Sequence, residues 1–87
     1  MSAYNDILRL YGQRDATYKN LQGDLSLYSA LQSGSIRTKD PNAIADLTVD
    51  IARLSQESQN TNLQIGLAEK YLKLEQEETK KIIDLFA

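Results

Sequence analysis

The chain has 87 residues with ten Lys and Arg, twelve Asp and Glu, no His and no Cys, for a net charge of −2. That composition excludes disulfides, thiolate chemistry, nearly all zinc sites and a conventional histidine base. With 41% hydrophobic residues in so short a chain, the core is thin, so such a chain lives with marginal stability or completes its core against a partner.

The first predicted helix covers about residues 3–33. Tyr4, Tyr11, Tyr18 and Leu25 recur at one heptad position and Ile7, Arg14, Leu21 and Tyr28 at another, the repeat by which a helix packs along a partner helix. Leu8, Leu10, Leu27 and Leu31 widen the stripe. Gly12 and Gly23 have two readings: close approach of another backbone, or local weakening of the helix. The tyrosines offer large contact area with a polar tip, which suits interfaces and half-wet seams. The same face also suits an ordinary hairpin core.

A loop at 34–40 follows. Gly34 stands where a helix ends in a left-handed residue. Asp40 before the only Pro reads as an N-cap with Pro41 in the first helical position.

The second predicted helix covers about residues 41–86. Ile44, Ile51, Ser58, Ile65, Leu72, Thr79 and Phe86 form one row, with Leu47, Leu54, Thr61, Ala68, Glu75 and Ile82 beside it. Leu63, Leu67, Tyr71 and Leu74 make a second stripe. The polar run 55–62 allows two readings, a continuous helix or a break that folds the end back into a three-helix bundle. It holds no Gly or Pro, which favours continuity.

The fold class expected is therefore all-α: a long antiparallel helical hairpin, coiled-coil-like, making one domain over 1–87. Pairing the two stripes sets Tyr28 against Leu47, Tyr11 against Ile65 and Tyr4 against Leu72. It also sets Arg14 against Thr61 and Tyr18 against Ser58, which reads either as a polar layer of the kind that fixes register or as an Arg14 that snorkels outward. At 1.5 Å per residue the helices span about 45 and 68 Å, so the second overhangs the first. Its overhang ends in the apolar residues Ile82, Ile83, Leu85 and Phe86, and an unpartnered apolar tip implies a partner.

No catalytic, cofactor-binding or metal-binding constellation is present. Glu77 and Glu78 sit among Lys residues at helical spacing, and Asp46 and Asp50 lie one turn apart near a helix start. With Glu69–Lys73 and Glu77–Lys81 as expected i,i+4 pairs, this is the pattern of a solvated helix face more than of acid–base chemistry. The four Gly residues form no phosphate loop, and no basic face points to nucleic acid. Apolar stretches are far too short for membrane insertion. Met1–Asp6 lacks the pattern of a secretory leader, so the chain is expected in the cytoplasm or exported without a cleaved signal peptide. The expected partner-binding residues are Tyr4, Tyr11, Tyr18, Leu72, Ile82, Ile83, Leu85 and Phe86. The partner is either the protein itself, as a homo-oligomer, or another helical protein.

The opening Asp40-Pro41-Asn42-Ala43-Ile44-Ala45-Asp46-Leu47 and the end Lys80-Lys81-Ile82-Ile83-Asp84-Leu85-Phe86 resemble the needle subunits of bacterial type III secretion systems and the related inner-rod and flagellar-type axial proteins. Needle subunits are small helical hairpins with an amphipathic C-terminal helix that lines a filament. The resemblance implies a structural subunit that polymerises or packs into a needle or rod. The alternatives from the residues themselves are an adaptor or chaperone-like hairpin holding one partner, or a structural protein of a phage particle.

Overall fold

The computed structural model describes residues 3–87 and consists of two helices, α1 (Ala3–Ser33) and α2 (Ala43–Phe86). They pack antiparallel as a rod of 71 × 18 × 17 Å. Its radius of gyration of 20.4 Å is well above the roughly 12 Å of a globular chain this long. The fold is the all-α hairpin that the stripes predict.

α2 is unbroken for 44 residues. Residues 55–62 stay helical because the run places Ser58 and Thr61 on the inner face, where they are buried at 8% and 9% exposure, and turns its longer polar side chains outward. The break and three-helix alternative is therefore replaced by one continuous helix.

The loop ends α1 as expected. Gly34 takes φ +78°, and its N–H donates to the Leu31 carbonyl at 3.4 Å, with Ile36 N–H reaching the Ala30 carbonyl at 3.3 Å. Those bonds satisfy carbonyls that a helix end leaves free.

The start of α2 differs from the expectation at Asp40. Ala43 N–H donates to the Asp40 carbonyl at 3.3 Å, and Asn42 N–H donates to Asp40 Oδ1 at 2.9 Å. Asn42 has φ −99° and ψ 0°. Asp40 thus opens a type I turn with Pro41 and Asn42 at its centre, the positions that Asp and Pro favour in such a turn. The helix begins two residues later than predicted, with Asn42 in the N-cap place and no side-chain cap bond.

The seam on α1 also differs from the predicted row. Its inward face runs Ala3, Ile7, Leu10, Arg14, Thr17, Leu21, Asp24, Tyr28 and Leu31, in alternating steps of three and four. Tyr4, Tyr18 and Leu25 lie one residue off that line and are 57%, 40% and 47% exposed. One residue is about 100° of rotation, so the tyrosine row flanks the seam instead of filling it. Small or polar Ala3, Thr17 and Asp24 hold the true positions. On α2 the inward row is Leu47, Leu54, Ser58, Thr61, Ile65 and Ala68, all buried.

The best-formed core sits at the end away from the loop, where Ile7, Leu10, Ile65 and Ala68 cluster with Tyr11 and Leu72 against them. The middle of the seam is polar. Arg14 does not enter it fully: its guanidinium lies 4.8 Å from the Tyr11 ring centroid and 3.8 Å from Asp15, with the side chain one-third exposed. The charged head reaches water while the stem covers apolar surface.

Gly12, Gly23 and Gly66 face open space, since nothing lies within 4 Å of where a Cβ would stand. No backbone of the hairpin itself approaches closely there, so within one copy these positions serve no close helix contact.

Candidate functional site: the uncovered surfaces of α2

Ala3 N–H donates to Glu75 Oε1 at 3.3 Å, which sets the level at which α1 stops covering α2. Residues 76–86 continue beyond it for about 16 Å at 1.5 Å per residue. Over this stretch Ile82, Ile83, Leu85 and Phe86 are 56%, 61%, 83% and 87% exposed. Leu72, at the root of the overhang, is half-buried against the Ile7–Leu10–Ile65–Ala68 cluster.

A second uncovered surface lies beside the seam. Leu63, Leu67, Tyr71 and Leu74 are each more than half exposed. Leu67, Tyr71 and Leu74 line one side of a groove of about 710 Å³ whose other wall is the start of α1, with Ala3, Asp6, Arg9 and Leu10. A smaller hollow of about 370 Å³ sits at the overhang, between Leu72, Gln76, Thr79 and Ile83. The stripe of Leu63, Leu67, Tyr71 and Leu74 was legible in the sequence. The groove it makes with α1 was not, because it depends on the true rotation of α1.

The tyrosines take different roles. Tyr11 is half-buried and donates its hydroxyl to Glu69 Oε1 at 3.2 Å. Tyr18 accepts from Asn62 Nδ2 at 3.2 Å. That bond, with a further one from Ser58, pulls its hydroxyl pKa below the usual tyrosine value. Tyr4 stands exposed at the open end.

Ion pairs among the described residues are few. Arg53 binds Asp50 at 2.6 Å and Glu57 at 2.7 Å. The expected Glu69–Lys73 and Glu77–Lys81 pairs do not form; Glu69 bonds across the hairpin to Tyr11 instead. Among the described residues no group of His, Cys, Asp or Glu is placed to hold a metal ion. No helix among them is long and apolar enough to cross a membrane.

No known protein family, no curated protein and no solved structure matches the chain. The chemistry available at these surfaces is apolar burial framed by charge, which is the chemistry of helix–helix association.

Proposed function

We propose that this protein is a structural assembly subunit, a helical hairpin that polymerises or packs into a larger complex such as a secretion-system needle or rod. The observation that carries the reading is the overhang: among the described residues α2 outruns α1 and ends in four large apolar side chains, each more than half exposed. Burying such side chains contributes about 1.5–3 kcal/mol each before the costs of association. The stripe of Leu63, Leu67, Tyr71 and Leu74 is a second surface, and a subunit with two separate surfaces can grow beyond a dimer. The secretion-needle assignment rests on the resemblance of the Asp40–Leu47 and Lys80–Phe86 segments.

The test is light scattering on size-exclusion fractions across a concentration series, with the full chain and with a chain lacking Ile82–Ala87. Growth of the full chain with concentration, lost on truncation, is expected. A full chain that stays monomeric at every concentration would defeat self-assembly, and a fixed one-to-one complex with another protein would favour the adaptor.

A further inference from the structure

The groove beside the first turns of α1 and the tip of α2 are complementary in charge as well as apolar surface. The floor of the groove is Ala3, Leu10, Leu67, Tyr71 and Leu74, and its charged lining is Asp6, Glu75 and Glu78 with Arg9. Three carboxylates against one guanidinium make the groove acidic.

The tip has the opposite arrangement. At about 100° per residue, Ile82, Ile83, Leu85 and Phe86 share roughly 160° of the helix circumference. Lys80 falls just past one edge of that arc and Lys81 just past the other, while Asp84 lies on the far side. The tip therefore presents an apolar face bordered on both sides by ammonium groups, with its one carboxylate turned away.

We propose that the groove receives the Lys80–Phe86 tip of a second copy of this chain. The proposal rests on the assembly reading above and names the surface that the overhang meets. The chain's own tip does not turn back into the groove, because α2 is one continuous helix through to Phe86 and carries the tip away from it. A second copy supplies an apolar face for Leu67, Tyr71 and Leu74, and lysines for Asp6, Glu75 and Glu78. Exposed ion pairs of this sort add little affinity but select the docking arrangement. One interface then covers two apolar surfaces that a single copy leaves open.

Charge exchange tests this directly. One variant carries Glu75→Lys and Glu78→Lys, so that groove and tip are both basic. The other carries Lys80→Glu and Lys81→Glu, so that both are acidic. Each alone is expected to self-associate about tenfold more weakly than the parent, and an equimolar mixture is expected to recover association, since each tip then meets a groove of opposite sign. Circular dichroism establishes that both variants keep their helices. If the parent associates and the variants alone match it, or the mixture stays as weak as its components, the groove is not the receptor while the assembly reading stands. If the parent never associates, both fall. Should a reversed variant lose helicity, single-cysteine variants of this cysteine-free chain decide instead. Leu74→Cys mixed with Leu85→Cys is expected to give a mixed disulfide, and its absence in an associating sample overturns the proposal.

Discussion

Asp24 and Asp50 face each other across the α1–α2 seam, near enough that each carboxyl group shifts the pKa of the other. Asp24 occupies an inward heptad position, and its Oδ2 is sealed from solvent without a partner. Pairing with the Asp50 carboxyl, with partial desolvation, raises the Asp24 pKa above the ordinary aspartate value of 3.8. The Asp50 pKa is lowered by the same pairing and by Arg53, whose guanidinium also holds Glu57 at 2.7 Å.

The sign of the resulting pH dependence follows from these directions. A raised carboxyl pKa contributes stability that is full below the unfolded value and is lost as pH rises through the folded value. Asp50 works the other way, losing its contribution as pH falls through its depressed value. The hairpin is expected to soften as pH climbs from about 4 through the Asp24 titration. Asp24→Asn keeps a donor for Asp50 without the charge. Thermal melts from pH 3.5 to 7.5 should show that variant more stable than the parent at neutral pH and flatter across the range; an unchanged pH profile would show that the pair does not govern it.

The three helical glycines that face open space give a stabilisation series. Replacing Gly12, Gly23 or Gly66 by Ala adds a methyl group that meets nothing within 4 Å and removes the conformational cost of Gly within a helix. Each is expected to add about 0.5–1 kcal/mol, nearly additively, in chemical denaturation. A destabilising result at any one would mean that a partner backbone packs there in the assembled protein.

Arg14 holds a seam position but keeps its charge near the surface, over Tyr11. Arg14→Leu is expected to stabilise the isolated hairpin by about 1 kcal/mol, because the added apolar burial outweighs the cation–π attraction to Tyr11. A polar seam layer also fixes register, so the same variant should broaden the distribution of oligomers seen by light scattering. A drop of several kcal/mol would show that the guanidinium makes an essential buried pair.

The hairpin, its loop and the overhang could be read from sequence because each is carried by residues of unambiguous type. Gly34 marks a left-handed end, Pro41 bars a helix interior, and two rows repeat by sevens, one through Leu47 and Leu54 and one through Ile65 and Leu72. The rotation of α1 could not be read in the same way. Tyr4, Tyr11 and Tyr18 carry the larger apolar area, yet the seam takes Ala3, Leu10 and Thr17 beside them. The inward line of α1 is shared among small, charged and apolar side chains, so the side chains of α2 decide which of two adjacent lines is buried. The turn at Asp40 escapes a sequence reading for a related reason: Asp followed by Pro opens a type I turn as readily as it caps a helix. The groove depends on both helices at once, so no single stripe announces it.

Folding and the proposed assembly occupy different residues of the hairpin, which makes them separable. Leu10 is 3% exposed within the principal cluster, and Leu10→Ala is expected to cost about 2–5 kcal/mol in unfolding. Ile82 and Phe86 lie beyond the end of α1 and are 56% and 87% exposed. Ile82→Ser with Phe86→Ser touches none of the cluster that joins the helices, so the midpoint of thermal unfolding under monomeric conditions should match the parent within error. The same double variant should lose self-association, because it removes two of the four apolar side chains at the tip. Circular dichroism melts run beside light scattering measure both effects on one sample. Were the double variant to unfold early and still associate, the tip would belong to the hairpin's own core, and the assembly surface would have to be sought on Leu63, Leu67, Tyr71 and Leu74 alone.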